Sequence, residues 1–231
     1  MAGERRTQKK DKRIDERRRI SFRSNSMQLF NFLKRRRNEV ADWYASDKQF
    51  NKIFPPHIAS LSRPHWTPVA VAKAASDFLA EPGKKILDIG SGAGKFCLIA
   101  ASRHKETTFY GIEQRMNLVH FAREAQHKLQ LENIQFIHAN MMDVSFSEYD
   151  HFYFYNSFYE QLPDIEKIDH DISFSREQYD RYTSYWFNEL TTLPRGTKLV
   201  TYHAHREQIP NTYGLIRQEV NNRLEYWVKE N

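Results

Sequence analysis

The chain has 231 residues, of which 40% are hydrophobic and 14% are aromatic. This is enough for one α/β domain with an appendage, too little for two full domains, and inconsistent with a wholly disordered chain. The single cysteine, Cys97, excludes an intrachain disulfide and a cysteine-cluster metal site, and no apolar segment resembles a signal sequence or a membrane span, so we predict a cytoplasmic protein without membrane association or bound metal.

The positive charge is concentrated at the start of the chain. Residues 1–40 contain 14 Lys and Arg against 5 Asp and Glu, whereas residues 41–231 contain 21 against 24. Residues 1–25 cannot bury enough apolar surface to fold, and we predict a disordered basic arm. The basic residues between positions 5 and 37 indicate an anionic partner, either a nucleic acid or an acidic protein.

Residues 26–66 form a predicted helical extension. Apolar residues recur at helical spacing between Ser26 and Tyr44, and the prolines that follow are typical of a connector. Thr67 and Pro68 suit the cap and the first residue of a helix that would continue to Leu79. We therefore expect the main domain to span residues 67–231.

Short β-rich segments alternate with helical ones through the rest of the chain, which is typical of a mainly parallel sheet covered by helices. A turn containing Asn221 and Asn222 joins the last two strands and predicts a C-terminal antiparallel hairpin. The predicted strands are 85–89, 108–112, 134–138, 151–156, 197–203, 213–219 and 223–228. The predicted helices between them are 94–103, 116–130, 158–168 and 176–192.

The strand Lys85–Ile89 leads into three glycines, Gly90, Gly92 and Gly94, and then into a helix. Glycines allow a sharp turn and a close approach of the backbone to a ligand, while a helix start presents free N–H groups. A dinucleotide fingerprint would need its third glycine at the position of Lys95. A nicotinamide-dependent oxidoreductase is therefore disfavoured.

Asp88 and the three glycines resemble the acid-x-Gly-x-Gly-x-Gly motif of class I S-adenosylmethionine-dependent methyltransferases. The resemblance covers about residues 67–160 and implies a Rossmann-like methyltransferase fold that binds S-adenosylmethionine. It implies that Asp88 orients the loop and the ammonium group of the cofactor. The loop residues that would hold the methionine part are Gly90, Ser91, Gly92 and Gly94.

Two further segments match cofactor contacts of that family. Glu113 ends the second predicted strand 19 residues after Gly94, and its carboxylate can accept hydrogen bonds from both ribose hydroxyls. After the third strand, Asn140 replaces the acid that the family uses for the adenine amino group. The Asn140 oxygen can still accept that bond and Met141 can pack on the adenine, with Asp143 as the alternative polar partner.

The fourth predicted strand ends in Asn156, Ser157, Phe158 and Tyr159. Amino methyltransferases often have Asn or Asp, two prolines and an aromatic residue here, and this chain lacks both prolines. We predict that Asn156 holds the acceptor amine and that Tyr159 stacks on it. Further candidates for orienting the acceptor or taking its proton are His65, Tyr155 and Glu160.

A fainter likeness is to non-SET protein-lysine methyltransferases. In that group a similar acid and a Ser-x-Tyr-Asp segment precede the fourth strand. The matching residues here are Asp143, Ser147, Tyr149 and Asp150.

The sequence therefore predicts a methyltransferase that methylates a nitrogen of a macromolecule, with protein slightly ahead of RNA. No large insertion after the fourth strand would cover the site, which favours a large substrate. Two alternatives stay open. One is a small-molecule methyltransferase with residues 26–66 as its lid, and the other is a noncatalytic cofactor-binding module tethered to nucleic acid.

Overall fold

The computed structural model describes residues 43–163, 165, 167–170 and 172–231. Tyr44–Asn231 form a compact unit. The predicted basic arm and nearly all of the predicted helix that follows it lie outside the described residues. The predicted domain boundaries therefore stay predictions.

The described residues contain a seven-stranded sheet in the order β3-β2-β1-β4-β5-β7-β6. The first five strands of this order are parallel, and β7 runs antiparallel to both β5 and β6. This confirms the predicted mainly parallel sheet with a final hairpin. The strands are β1 Lys85–Ile89, β2 Thr108–Glu113, β3 Ile134–His138, β4 His151–Phe154, β5 Lys198–Tyr202, β6 Tyr213–Glu219 and β7 Leu224–Lys229.

Within the described residues, four long helices cover the sheet, and three single-turn helices precede them. The short ones are α1 Asp47–Phe50, α2 Pro56–Ala59 and α3 Ser62–His65, and the long ones are α4 Val69–Leu79, α5 Lys95–Arg103, α6 Met116–Leu129 and α7 Arg176–Thr192. Short 3-10 turns lie at Asn51–Ile53, Met141–Asp143, Phe146–Glu148, Tyr159–Gln161 and Arg206–Gln208. Within the part of the chain that is described, no helix is long and apolar enough to cross a bilayer.

The two faces of the sheet pack against different helices. On one face, Trp186 of α7 stacks on Phe154 of β4 with 4.8 Å between ring centroids. On the other face, Phe96 of α5 stacks on Tyr153 at 3.9 Å. Because side chains of a strand alternate between its faces, β4 contributes aromatic side chains to both layers of the core. This central burial fixes the carboxyl end of β4.

The predicted helix over residues 158–168 is wrong. Among the described residues of this range, the 3-10 turn Tyr159–Gln161 is the only helical element. Leu162 is extended, with φ −73° and ψ 146°, because it precedes Pro163, and proline disfavours a helical conformation in the residue before it. The turn residues instead make specific polar contacts near the ends of the parallel strands.

The predicted cap of α4 is also wrong. The helix begins at Val69 after an extended Pro68, and the hydroxyl of Thr67 hydrogen-bonds the phenol of Tyr153 at 2.9 Å. Asp47 supplies the missing acceptor, since its Oδ1 accepts from the N–H of Val69 at 2.9 Å. A free N–H at the helix start is thus satisfied by a residue more than 20 positions earlier.

The same Asp47 oxygen accepts from Nζ of Lys95 at 2.5 Å. Lys95 begins α5, its side chain is 3% exposed, and its ammonium lies over the rings of Phe50 and Trp66. Burial lowers the pKa of this lysine, and the hydrogen bond that it donates to Asp47 opposes that shift. The contact holds the short helices before α4 against the helix that follows the glycine loop.

Candidate functional site

A cavity of about 430 Å³ lies at the carboxyl ends of β1 to β4. The strand order reverses between β1 and β4, and such a switch point is where open α/β sheets bind ligands. The cavity brings together seven of the ten site residues predicted from the sequence. They are Gly90, Gly92, Glu113, Asn140, Met141, Asn156 and Tyr159.

The glycine loop needs its missing side chains for two different reasons. Gly90 has φ +71°, and a Cβ there would lie 2.5 Å from Cβ of Ser157, so the turn packs directly against the residue after Asn156. Gly92 has φ +54°, and a Cβ there would meet no protein atom within 4 Å. Since Gly92 lines the cavity, the space that its side chain would fill is open to a ligand.

Gly94, whose contact with the cofactor stays a prediction, packs closely against its neighbours. It is the N-cap of α5 with φ +81°, and it lines none of the described cavities. A Cβ at this position would lie 2.4 Å from the ring of Phe136. The third glycine therefore lets the helix start pack against β3.

Asp88 and Ser91 lie at a second, smaller cavity of about 30 Å³, which shares Gly90 with the large one. Asp88 is buried, and its Oδ2 accepts from the thiol of Cys97 at 3.5 Å. Burial raises the pKa of Asp88 to about 8, against the lowering by that thiol. An ammonium group bound beside this carboxyl would favour its ionised form.

Glu113 ties the end of β2 to the glycine loop. Its Oε2 accepts from the N–H of Gly92 at 3.1 Å, and its Oε1 accepts from the N–H of Arg115 at 2.9 Å. Burial raises the pKa of this carboxyl, while the Arg115 N–H lowers it. Each carboxylate oxygen retains a second lone pair, which is what a pair of ribose hydroxyls requires.

Asn140 is held as the cap of a short turn. Its Oδ1 accepts from the N–H of Met142 at 3.0 Å, and its Nδ2 donates to the hydroxyl of Tyr182 at 2.7 Å. Met141 is buried and lines the cavity beside it. Asp143, the alternative polar partner, does not line the cavity. The geometry thus leaves Asn140 and Met141 at the position expected for the adenine.

Asn156 follows β4 with a left-handed backbone, φ +37°. Its Oδ1 is buried and has no hydrogen-bond partner among the described residues. Its carbonyl oxygen accepts from the N–H of Tyr159 at 3.0 Å, which places both predicted catalytic residues on one tight turn. The cavity wall here therefore combines an unused amide oxygen with an aromatic ring.

Arg115 was not identified from the sequence, although it lies two residues after Glu113. Its guanidinium is 3% exposed and pairs with Glu160 at 2.7 Å and with Asp169 at 2.9 Å. The same carboxylate oxygen of Glu160, Oε1, also accepts a hydrogen bond from the N–H of Ile168 at 2.7 Å. A buried cation thus fixes the irregular segment after β4 against the end of β2.

Other residues of the cavity wall were missed because they are distant in sequence. They are apolar or aromatic, and only the tertiary fold brings them to the cavity. They include Trp66, Ile165, Ile168, Tyr182 and His203. His65, Tyr155 and Glu160, named from the sequence as orienters, do line the cavity.

The residues that resemble non-SET protein-lysine methyltransferases lie away from the cavity. Asp150 accepts from the N–H of Lys85 at 2.8 Å and pairs with Lys84 at 2.9 Å. Lys85 begins β1, so this contact is at the amino end of the sheet, whereas the cavity is at the carboxyl end. Asp150 therefore lies at the end of the sheet opposite the cavity.

Sequence comparison finds a match to the family described as "Methyltransferase domain" over residues 80–181. The curated relatives include tRNA (guanine-N(7)-)-methyltransferases of Synechococcus sp. (strain JA-3-3Ab), 42% identical over 55 residues, and of Prochlorococcus marinus (strain NATL1A), 36% identical over 63 residues. These matches cover 24% and 27% of this chain and 23% and 29% of the relatives. The chain thus spans between a fifth and a third of the curated relatives it matches.

Structural comparison adds an RNA methyltransferase from Salinibacter ruber in complex with S-adenosyl-L-homocysteine. It has a TM-score of 0.52 and 18% identity, over 71% of this chain and 94% of that one. TrmN from Thermus thermophilus gives a TM-score of 0.51 and 20% identity, over 75% of this chain and 50% of that one. At these identities the likeness concerns the fold.

The sheet order, the glycine loop and the carboxylate at the end of β2 define a Rossmann-like methyltransferase domain. The match of residues 80–181 to a methyltransferase domain, together with this fold, is consistent with the class I S-adenosylmethionine-dependent methyltransferase superfamily that the sequence predicts. S-adenosylmethionine is the cofactor of this superfamily, and the open space at Gly92 is a cradle that would fit it.

Proposed function

We propose that the chain transfers the methyl group of S-adenosylmethionine to a nitrogen atom of an RNA base. The observation that carries this proposal is the buried Oδ1 of Asn156, which has no partner within the described part of the chain. A buried amide oxygen without a hydrogen bond costs roughly 1–3 kcal/mol. An N–H of a substrate at the end of β4 would remove that cost.

The wall around Asn156 suits a flat heterocycle. Tyr155, Phe158 and Tyr159 line the cavity on one turn of chain, and Trp66 lines it from the segment before α4. Stacking of a base on an aromatic side chain contributes about 1–3 kcal/mol. We call Trp66, Tyr155, Asn156, Tyr159 and His203 the acceptor side of the cavity.

We call Gly90, Gly92, Glu113, Asn140 and Met141 the cofactor side. Gly90 and Gly92 would support the methionine part by their backbone, and Glu113 would bind the ribose hydroxyls. Asn140 and Met141 would flank the adenine. Bound there, S-adenosylmethionine supplies an activated methyl group, so the protein has only to align the acceptor nitrogen and exclude water.

We favour RNA over protein because of the relatives and of the charge. The curated relatives that match part of this chain are tRNA methyltransferases. Residues 1–40 carry nine more basic than acidic side chains, 14 against 5, which is the charge that phosphate contacts need. The order of preference inferred from the sequence, protein slightly ahead of RNA, is therefore reversed.

The proposal is tested by incubating the full chain with methyl-labelled S-adenosylmethionine and, separately, with unmodified RNA and with a protein extract freed of nucleic acid. We expect label in RNA that ribonuclease releases and protease does not. Label confined to protein or to small molecules would overturn the proposal.

Asn156→Ala sharpens this test. We expect the variant to bind S-adenosylmethionine as the wild type does, but to transfer methyl groups roughly 10-fold or more slowly, since one hydrogen bond that orients the acceptor is lost. Asn211→Ala, at an exposed loop position, is the matched control. Equal transfer rates for the two variants would contradict the assigned role of Asn156.

A further inference from the structure

Two neighbouring strands end in residues with an unusual backbone. Asn156 follows β4 with φ +37°, and His203 follows β5 with φ +56°. The left-handed conformation costs a residue with a side chain about 1–2 kcal/mol, and such residues concentrate at functional sites. Since β4 and β5 are parallel neighbours and both residues line the cavity, the two side chains share one wall.

The backbone of His203 is fixed independently of its side chain. Its N–H donates to the carbonyl oxygen of Arg223 at 2.8 Å. The imidazole contacts the rings of Tyr202 and Tyr155, with centroid distances of 4.4 Å and 5.8 Å. The ring is thus packed edge-on at the cavity wall, beside the residue that precedes Asn156.

The surroundings keep this imidazole neutral. The titratable and charged groups that face it are Tyr155 after β4, Tyr202 at the end of β5 and Arg223 from the turn before β7. Burial lowers the pKa of His203, and the positive charge of Arg223 lowers it further. Burial raises the pKa of both tyrosines, so neither supplies a negative charge that would protonate the ring.

The carboxylates of the cavity are already engaged. Among the described residues that line it, these are Glu113, which accepts from Gly92 and Arg115, and Glu160, which pairs with Arg115 and accepts from Ile168. On the acceptor side, the neutral imidazole of His203 lines the cavity and can accept a proton.

We propose that His203 takes the proton from the acceptor nitrogen, and that this nitrogen therefore carries hydrogen, as an exocyclic amino group or a ring N–H does. The inference rests on the proposed function and names the kind of atom that is methylated. It agrees with the unused Oδ1 of Asn156, which can only accept a hydrogen bond.

The step balances without any further reactant. The lone pair of the nitrogen forms the new N–C bond, and the electrons of the broken C–S bond remain on sulfur, which becomes a neutral thioether. The N–H proton passes to the neutral imidazole of His203. The imidazolium then releases that proton to water.

This separates the chain from its curated relatives in one respect. Their printed activity is at N7 of guanine, a ring nitrogen that carries no hydrogen and needs no proton acceptor. An enzyme for that atom would have no use for a neutral imidazole beside the reacting nitrogen.

The test uses His203→Gly, because glycine adopts φ +56° without strain and leaves a space that free imidazole can enter. Measured on the RNA that accepts label, we expect the transfer rate to fall about 100-fold or more, the usual contribution of a general base. We expect added imidazole to recover at least about a tenth of the fall in the logarithm of the transfer rate. Calorimetry should give an unchanged affinity for S-adenosylmethionine.

His120→Asn is the matched control, since His120 is 64% exposed on the surface of α6. Its rate should not change, with or without imidazole. A His203→Gly variant that keeps the wild-type rate, or that loses it without any rescue by imidazole, would overturn the proposal.

The methylated nucleoside gives a second, independent result. Mass spectrometry of digested RNA should find the methyl group on an amino or N–H nitrogen. If 7-methylguanosine is found, the inference about His203 is overturned and the proposed RNA methylation stands. If label enters only protein, the proposed function is overturned, and the His203→Gly rescue on that protein decides the role of His203. Label in neither fraction would overturn both.

Discussion

The cofactor side and the acceptor side of the cavity are built by different means. On the cofactor side, glycine backbone and one carboxylate come from two short segments, and Glu113 bonds directly to the N–H of Gly92. On the acceptor side, side chains from three distant parts of the chain meet, represented by Trp66, Asn156 and His203. The first side depends on local backbone conformation and the second depends on the tertiary fold.

This difference explains why the cofactor side would suit many acceptors, whereas the acceptor side would be specific to one substrate. In the proposed roles, the glycine loop and the acid at the end of β2 would serve any acceptor, because they would bind only the methyl donor. The acceptor side carries the amide, the aromatic rings and the imidazole that would select a substrate. Arg115 lies between the two, since it contacts Glu113, Glu160 and Asp169.

The largest expected effect is the loss of this link. Arg115→Met would leave Glu160 and Asp169 without their cation, and breaking a buried ion pair from one partner costs about 3–5 kcal/mol. Both carboxylates retain some exposure, 13% and 22%, so we expect about 3 kcal/mol in the free energy of unfolding measured with urea.

Arg176→Met is the control for Arg115→Met. Arg176 pairs with Asp180 on the surface, where the two side chains are 71% and 59% exposed. Exposed pairs contribute about 1 kcal/mol at most. Similar losses for the two variants would show that Arg115 does not join the two sides of the cavity.

The next effect separates the two sides. Gly92→Ala introduces a Cβ that meets no protein atom but enters the space on the cofactor side. We expect the affinity for S-adenosylmethionine to fall by about 2 kcal/mol, within the usual range for a group forced into a filled site. Gly83→Ala is matched, with φ +76° and no atom within 4 Å, and it should bind the cofactor normally in calorimetry. If Gly92→Ala bound S-adenosylmethionine with normal affinity, the glycine loop would not be part of the binding site.

A smaller effect is expected at Glu113. Glu113→Gln keeps one oxygen for the N–H of Gly92 and loses the charge, so the ribose bonds change from charge-assisted to neutral. We expect the affinity for S-adenosylmethionine to fall by about 1 kcal/mol, the usual difference between the two kinds of hydrogen bond. Glu225→Gln, a partner of Gln218 on the far hairpin, serves as the control. Tighter binding by Glu113→Gln would contradict the assignment.

A separate effect concerns pH and the ligand-free protein. The pKa of Asp88 is about 8 in the folded protein against an ordinary value of 3.8, so between these values the folded state holds a proton that the unfolded chain releases. The stability of the wild type should therefore fall as the pH rises through this window, relative to Asp88→Asn, which does not titrate.

Urea unfolding across that window measures the difference between wild type and Asp88→Asn. We expect the difference to grow in favour of the variant with rising pH and to level off above about pH 8. Asp180→Asn, at a 59% exposed side chain, is the control. Equal slopes for the two variants would contradict a buried, protonated Asp88.

Much of the sheet could be predicted from the sequence. All seven strands lie within two residues of their predicted bounds at each end, because buried strands of this fold are short apolar runs between glycine, proline and polar turns. The segment after β4 could not be predicted as irregular from its composition. Its conformation depends on Pro163 and on bonds to Arg115, which is distant in sequence.

The site divides in the same way. The positions of Gly92 and Glu113 at the cavity could be predicted from the motif spacing, since each follows or ends a strand whose place in the sheet is predictable. Gly94 matches the motif and packs against Phe136. The motif predicts that glycine is required at this position, but it does not say why. His203 ends the predicted strand 197–203, but its place at the cavity beside Tyr155 could not be predicted, since it depends on the pairing of β4 with β5.

One measurement tests the central claim, that the cavity at the ends of β1 to β4 binds the methyl donor along Gly92 and Glu113. Isothermal titration calorimetry of the full chain should give one site per chain for S-adenosylmethionine and for S-adenosylhomocysteine, and no heat for NAD. The absence of heat with both sulfur ligands, or binding that Gly92→Ala leaves unchanged, would contradict the account.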